Sequence, residues 1–372
     1  MPKRNDAILC LLKSVRQAKG VSQSQLADWV GVKRQAIYDI ESGRYLPNTA
    51  LALRLAKHLG CRVEDLFVDQ LTEPEQPIQL VDGTVDRGRR VVVSKLRGRL
   101  LAYPLTGEHS LRDGFRPADG LLDSEGSRVR LLCTEEAIEK TVVLMGCDPA
   151  FSILGEHVSR RSPEARVHHR FASSHRAVEG LRNGKAHLAG THLHNPPDGE
   201  ANVDLVRRLF HGSRALIVGF SVLEEGLMVA HGNPLGIRGA ADLAGGRLRL
   251  ANREPGAALR VLLDDHLKRS GVAVSTVRGY GHEVSSHLEG ARSVVHGLAD
   301  AALGLRAVAD ACGLDFVPIE TVRCDLVVPC DLIDHPSIKV LLDTLQTRLF
   351  HEELASIPGY GASRTGDVIA RT

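Results

Sequence analysis

The sequence predicts a multidomain α + α/β protein, with a small helical head, a short β-rich connector and a larger α/β body. Three observations carry this. At 372 residues the chain exceeds what one typical core holds, so two or more domains are expected. Residues 8–68 repeat apolar side chains at helical spacing between Gly and Pro punctuation. From residue 140, short apolar runs alternate with helical patterns, which implies a largely parallel sheet covered on both faces.

Charged and hydrophobic fractions of 25% and 43% are those of an ordinary globular protein, and 4% aromatics leave the interior to Leu, Val, Ile and Ala. The net charge of +2 hides an asymmetry. Residues 1–70 carry 11 Lys/Arg against 7 Asp/Glu, so the remainder is slightly acidic. A basic head on a near-neutral body suits a DNA module joined to something else. No run of about 18 apolar residues predicts a membrane helix, and the N-terminus lacks a signal-peptide core. The seven cysteines are scattered without a CxxC pair, which fits free thiols in a soluble, cytoplasmic protein rather than a disulfide or metal framework.

In the head, Ile8, Leu11, Leu12 and Val15 suggest a first helical face, ended by Gly20. Ser22 with Gln25 makes a capping-box pattern for a second helix, in which Leu26, Ala27 and Val30 face inward and Trp29 is expected in the core. Gly31 supplies the turn. The third helix buries Val32, Ala36, Ile37 and Ile40 and presents Lys33, Arg34, Gln35, Tyr38 and Asp39 on its other edge. Pro47 precedes a helix over residues 49–59, Gly60 stops it, and VEDLF forms a last short turn. Two short helices hinged at Gly31 have the layout of a helix-turn-helix, whose second helix enters the DNA major groove.

The stretches SQSQLADWVGVKRQAIYDIESGRYLPN and LALRLAKHLGCRVEDLF, in register over residues 8–68, closely resemble the lambda-repressor-like (XRE) helix-turn-helix family, a five-helix domain. The resemblance implies that Gln23, Lys33, Arg34, Gln35 and Tyr38 meet double-stranded operator DNA. Arg or Lys can pair with guanine and Gln with adenine, and Arg44 is a candidate phosphate contact.

Residues 70–84 carry two prolines and several acids without an apolar period, and are expected to be a linker. RGRRVVVSKLRGRLLAYPL predicts two strands around a turn at residues 96–98, within a β-rich connector over 85–139. Its Arg87, Arg89, Arg90, Lys95, Arg97 and Arg99 form either a phosphate-binding patch or a solvated strand edge.

The body reads as strands at TVVLMG, RVHHRFA, HLAGTHLHNP, RALIVGFSVLEEGLMVAHG, LRLAN, ADAALGL and DFVPIETVRCDLVVP, separated by helices. A helix over 337–354 closes the chain. MGCDPAFSIL, ASSHRAVEGLRNGKAHLAGTHLHNP, NPLGIRGAADLAGGRLRLANREPGAALR, GLADAALGLRAVADACGLDFVPI and CDLVVP are similar to the type II periplasmic-binding-protein fold in its intracellular form. More narrowly, they resemble the PBP-like domain fused to helix-turn-helix and molybdopterin-biosynthesis proteins, a relative of molybdate-binding proteins. The resemblance implies a two-lobed domain over 140–372, with lobe 1 at about 140–222 and 315–372 and lobe 2 at about 223–314. A ligand would lie in the cleft between the lobes.

Loops after strands, where helix N-termini offer free N–H groups, are the expected contact points. They bring forward Asp148, Pro149, Ser173, Ser174, Thr191, His192, Asn252, Arg253, Gly256, Ala257 and Arg306, with Glu283 and His287 from the second lobe. The family's loop reads roughly PGSGTR, whereas this chain has Pro255–Gly256–Ala257–Ala258–Leu259–Arg260 and so lacks two hydroxyl donors. Asp148 also places a carboxylate where an anion would be repelled, unless it caps its helix. An organic metabolite and an oxyanion such as molybdate or tungstate both stay open as effector.

His168, His169, His175, His187, His192 and His194 crowd into 27 residues. On a strand His192 and His194 would share a face. Without a Cys or carboxylate at matching spacing, polar surface or cleft histidines are the expectation rather than a metal site. No phosphate loop, GxSxG elbow or spaced acid/base pair appears, so no catalytic residue, metal or cofactor is assigned. The leading expectation is a dimeric, ligand-sensing transcription regulator. A regulator whose body serves assembly alone, or an enzyme of molybdenum-cofactor metabolism, are the alternatives.

Overall fold

The computed structural model describes residues 8–69, 75–82, 89–110, 115–195 and 199–372. The chain separates into one unit of residues 1–76 with 128–131, and a second of residues 77–127 with 132–372.

The first unit runs β1 (Ile8–Cys10), α1 (Leu12–Ala18), α2 (Gln23–Val30), α3 (Arg34–Glu41), α4 (Thr49–Leu59), a 3-10 turn at Val63–Asp65 and β2 (Phe67–Asp69). Local chemistry sets the boundaries. Gln25 N–H donates to Ser22 Oγ (3.2 Å) and Ser22 N–H to Gln25 Oε1 (2.9 Å), closing the capping box of α2. Gly31 ends that helix with φ of 72°, a left-handed conformation that suits a residue without Cβ. Asn48 Oδ1 accepts from Leu51 N–H at 2.9 Å and starts α4. Leu12, Leu26, Val30, Ile37, Ile40, Leu55, Leu59 and Leu66 form the core.

Two expectations fail here. Ile8 lies not on a helix but in β1, paired antiparallel with β2 (Ile8↔Asp69, Cys10↔Phe67), because the helical period starts only at Leu12. Trp29 is 46% exposed and stacks on His58 at 6.0 Å, since the inward stripe of α2 is Leu26, Ala27 and Val30.

An ion pair with its polar neighbour is largely buried in this unit. Arg16 Nε donates to Glu41 Oε1 at 2.5 Å, Arg16 Nη2 to Glu41 Oε2 at 3.1 Å, and Gln23 Nε2 to Glu41 Oε2 at 2.8 Å. Burial would raise the Glu41 carboxyl, but the Arg16 and Gln23 hydrogen bonds hold it below its ordinary value. The bridge ties α1 to the end of α3.

The chain continues through β3 (Gln76–Pro77), β4 (Gln79–Leu80), β5 (Arg90–Leu96), β6 (Arg99–Pro104), β7 (Gly120–Leu122), β8 (Arg128–Leu131) and α5 (Glu135–Glu139). β5 and β6 form the expected hairpin, closed between Leu96 and Arg99 by two residues. β4 pairs parallel with β6 (Gln79↔Leu101), so part of the stretch expected as linker is a strand. Residues 70–74, 83 and 84 of that stretch lie outside the described residues. Val92, Leu96, Leu101 and Tyr103 pack in one core with Val143, Met145, Ala177, Val178 and Leu181. In the basic run, Lys95 meets Glu139 (2.7 Å), Arg97 meets Asp331 (2.7 Å) and Arg99 bonds Gln79 (3.3 Å), which favours the strand-edge reading. Arg87 lies outside the described residues.

The body comprises β9 (Thr141–Gly146), α6 (Phe151–Arg161), β10 (Arg166–Phe171), α7 (Ser174–Arg182), β11 (Leu188–Thr191), α8 (Ala201–Leu209), β12 (Ala215–Val229), β13 (Leu250–Arg253), α9 (Ala258–Arg269), β14 (Glu283–Val284), α10 (His287–Val295), β15 (Ala301–Leu305), α11 (Arg306–Ala311), β16 (Asp315–Pro329), α12 (Pro336–Thr344), α13 (Arg348–Ala355), β17 (Tyr360–Gly361) and β18 (Val368–Arg371). Its curled sheet has the order β10-β9-β11-β16-β12-β15-β13-β14, with β17 and β18 also on β12. The sheet is mixed rather than largely parallel. β9, β10 and β11 are parallel, as are β13, β14 and β15, but β12 and β16 run antiparallel to each other through both lobes. Continuous apolar runs reveal burial on both faces, not strand direction. The closing helix is two helices, broken between Thr344 and Arg348, and the chain ends on β18.

His187 is held between strands: Val143 N–H donates to its Nδ1 (3.1 Å) and its Nε2 faces Lys95 O (3.2 Å). That arrangement requires a neutral ring, and burial lowers its pKa to about 4.

Glu41→Ala strands the Arg16 charge and is expected to destabilise the first unit by about 3–5 kcal/mol, read as lost amide protection in α1 and α3. Because the His187 pKa is depressed when folded, the unfolded chain binds the extra proton between pH 6.5 and 4. Stability should therefore be full above pH 6.5 and fall by up to about 3 kcal/mol towards pH 4. Denaturant titrations should show that slope reduced in His187→Gln.

Candidate functional site

On the helix-turn-helix, Lys33 caps α3 and Arg34 and Gln35 open its first turn, all three exposed. Tyr38 is exposed, and Arg44 lies over its ring at 5.4 Å while reaching Asp39 at 3.6 Å. Gln35 Nε2 bonds Asp39 Oδ1 at 3.1 Å. These side chains share one edge. Gln23, the first residue of α2, has its amide held by Glu41 Oε2 at 2.8 Å.

In the body, four strand ends converge. β9 delivers Cys147, β10 delivers Phe171 and Ser173, β11 delivers His192, and β13 delivers Arg253. His287 opens α10 in the second lobe, and Glu225 stands on the crossing strand β12. His192 Nε2 lies 2.7 Å from Cys147 Sγ, and His192 Nδ1 lies 2.5 Å from Glu225 Oε1. Ligand atoms of Cys147, His192 and His287 all lie within 4.8 Å of one another. Arg253 covers the Phe171 ring at 5.5 Å, and Phe171 meets the His287 ring edge-on at 6.2 Å.

All these polar groups are buried: His192 is 2% exposed, His287 3%, Arg253 1% and Glu225 0%. Burial alone would lower the His192 pKa, but the Cys147 sulfur and the Glu225 carboxylate hold it well above its ordinary value. His287 goes the other way: burial, then the Arg253 and His192 charges, keep it well below. Three atoms here, His287 Nδ1, His287 Nε2 and Glu225 Oε2, have no hydrogen bond of normal geometry among the described residues. Buried polar atoms are nearly always paired, so this cluster is poised for something it does not itself supply.

A cavity of about 590 Å³ is lined by residues of both lobes, including Phe171, Ser173, Glu254 and Glu283. Arg170, Arg176 and Lys185 face Asp82, Glu179, Glu254 and Glu283 around it, so neither sign of charge dominates.

The expected ligand residues divide. His192, Arg253 and His287 join the cluster, while Ser173 and Glu283 line the cavity. Ser174 Oγ accepts from His192 N–H at 3.2 Å. The others are occupied elsewhere. Asp148 accepts from Ala150 N–H (2.9 Å), Tyr360 OH (2.7 Å) and Ser221 Oγ (3.1 Å), which answers the concern about a free carboxylate in the cleft. Thr191 donates to Asn202, and Asn252 bonds the Tyr280 carbonyl and its neighbour's N–H. Arg306 binds Glu224 and stacks on Phe316. Pro149 and Gly256 are exposed, and Ala257 is buried as the cap of α9.

Glu225 is the cluster member that sequence reasoning passed over, while Cys147 falls in the Cys147–Asp148–Pro149 loop that such reasoning places at the cleft without giving the thiol a role. Glu225 carried a signal: an acidic pair inside an apolar strand puts one carboxylate on each face. Of the histidine crowd, His192 alone joins the cluster. His194 turns to Asp265 at 3.1 Å, and His187 and His169 bond backbone carbonyls.

A helical head with an exposed basic recognition edge, joined to a two-lobed α/β domain with a polar interlobe cleft, defines a DNA-binding protein with a substrate-binding-type body. The chain belongs to the PBP superfamily, whose domain model matches residues 155–346, and a helix-turn-helix model matches residues 12–66. The chain is 30% identical over 231 residues to the uncharacterized protein YvgK of Bacillus subtilis, covering 62% of this chain and 74% of the relative. The head is 42% identical over 57 residues to the uncharacterized HTH-type transcriptional regulator MJ0272 of Methanocaldococcus jannaschii, 15% of this chain and 86% of that one. Among solved structures, the sulfate-binding protein SubI from Mycobacterium tuberculosis superposes with a TM-score of 0.46 at 15% identity, over 59% of this chain and 86% of its own.

The register of β12 against β16 slips between Glu225 and Gly226, which places Glu225 at a bulge beneath His192. A Cβ on Gly226 would meet Val317 O at 2.2 Å and Pro318 Cα at 3.0 Å, both backbone atoms. Gly226→Ala should therefore lower the unfolding free energy of the body by about 1–3 kcal/mol; an unchanged denaturation midpoint would show that the strands can give way there.

Proposed function

We propose that the protein is a DNA-binding transcription regulator whose body senses a small ligand. In this reading residues 1–69 contact an operator and residues 140–372 hold the effector in the interlobe cleft. What supports the sensing half is the cleft cluster, where buried His287 and Glu225 atoms have no hydrogen bond of normal geometry among the described residues, the His287 ring meeting only the Cys147 backbone. A body kept for assembly alone would gain stability by replacing them with apolar groups. The mixed charge around the cavity favours an organic metabolite with groups of both signs over a bare oxyanion. The missing hydroxyls at Ala257 and Leu259 point the same way.

On the DNA side, Lys33, Arg34, Gln35 and Tyr38 would face the major groove and Arg44 a phosphate. Gln23, held by Glu41, would contribute from the end of α2. One such module reads few base pairs, so the working form is a homodimer on paired half-sites. The effector can shift operator affinity only by its difference in affinity for the two states of the body.

Gel-shift titration with the protein's own promoter region tests the reading. Saturable binding is expected, and Arg34→Ala or Gln35→Ala should each weaken it by about 1–3 kcal/mol with unfolding unchanged. A thermal-shift screen over metabolites and oxyanions should find a stabilising ligand that moves the gel-shift midpoint. No saturable binding would remove the DNA half of the proposal.

A further inference from the structure

We infer that Cys147, His192 and His287 form a binding site for a thiophilic transition-metal ion, with zinc(II) the best match, and that this ion helps bridge the two lobes. The inference rests on reading the cleft as the effector site.

Three independent features support it. The donor set is a thiol and two imidazoles, buried, with ligand atoms within 4.8 Å of one another. One Cys and two His are ligands suited to zinc, leaving a fourth position for water or an effector atom. His192 is oriented as metal-bound histidines are: its Nδ1 is engaged by the Glu225 carboxylate at 2.5 Å, which turns Nε2 toward Cys147. Neither nitrogen of the His287 ring has a hydrogen bond of normal geometry among the described residues, and its one polar neighbour on the backbone is Cys147, itself a proposed ligand.

The distances also set what must move. Sulfur and nitrogen on one tetrahedral zinc lie about 3.5 Å apart, given bonds of about 2.3 and 2.0 Å. The 2.7 Å contact between Cys147 and His192 therefore opens on coordination, and the protons carried by Sγ and by His192 Nε2 leave to solvent, because zinc takes a thiolate and a free imidazole lone pair. Cys147 and His192 belong to the first lobe and His287 to the second, so an ion held by all three favours the closed cleft.

The test uses the full-length reduced protein. Cobalt(II) should bind one-to-one and give a thiolate-to-metal charge-transfer band in the near ultraviolet. Zinc(II) should displace it. Cys147→Ser should abolish the band, and His287→Gln should weaken zinc binding measured against a competing chelator. Glu225→Gln, a change in a positioning residue, should weaken it about ten- to hundredfold. Unfolding curves of the metal-free variants show that each still folds. Absence of one-to-one binding, or binding unaffected by both Cys147→Ser and His287→Gln, overturns the site whatever the DNA assay shows. If the metal binds as expected but operator affinity is the same with zinc and with chelator, the site stands and the sensing role of the cleft falls.

Discussion

The body hangs on the pairing of two fifteen-residue strands, Ala215–Val229 and Asp315–Pro329, which run antiparallel through both lobes. A hydrogen-bonded ladder resists bending, because each opened pair exposes a donor and an acceptor that need new partners. The ladder is irregular between Gly219 and Ser221 and between Glu225 and Gly226, where bending would open the fewest regular pairs. The second slip lies at the cleft. Glu224 faces Arg306, whose guanidinium stacks on Phe316, while Glu225 faces His192. One short length of strand thus holds the Arg306 packing on one side and the cluster chemistry on the other.

Buried polar groups in this molecule fall into two kinds. Arg16 and Glu41 complete each other, and Asp325 receives Arg323 Nε and Asn202 Nδ2, each at 2.8 Å. Asp148 is likewise surrounded by donors. Such networks fix structure, since a fully bonded charge is tolerated in a dry interior. The cleft cluster differs in kind, being equally buried yet incomplete at His287 and Glu225. An incomplete network there is costly to folding, and the ligand site proposed above would account for it; His175 Nδ1 and His266 Nε2 are also without a bond of normal geometry, but stand singly. This contrast within one chain separates scaffold from site more sharply than burial or charge alone.

Much of the fold was legible because its signals are local. The capping box at Ser22, the helix over Thr49–Leu59, the hairpin at Leu96–Arg99 and the strand Asp315–Pro329 are set by residues close in sequence. Strand direction was not legible, because an apolar run reads the same in either sense. Trp29 misled for a related reason: its type suggests the core, but its helical phase lies off the buried stripe. The site was legible in part. Strand-end reasoning located His192, Arg253 and Ser173, yet it could not separate them from Thr191, Asn252 and Arg306, which satisfy neighbours instead.

The cluster could not be read from spacing, because its members lie far apart in the chain and meet only through the double crossing of β12 and β16. His192 and His194, two apart, were the natural pair to suspect. Chain direction breaks that pair, since β11 ends at Thr191 and His194 turns away to Asp265. Cys147 and His287 are 140 residues apart and come from opposite lobes. Their separation in sequence is what gives the site leverage. Ligands drawn from one lobe would bind equally well with the cleft open or shut and would bias nothing. In the proposed reading, with His287 on one side and Cys147 and His192 on the other, an occupant of the cluster would gain its last contact only as the lobes approach. That difference in contacts between open and closed states is the free energy available to a switch.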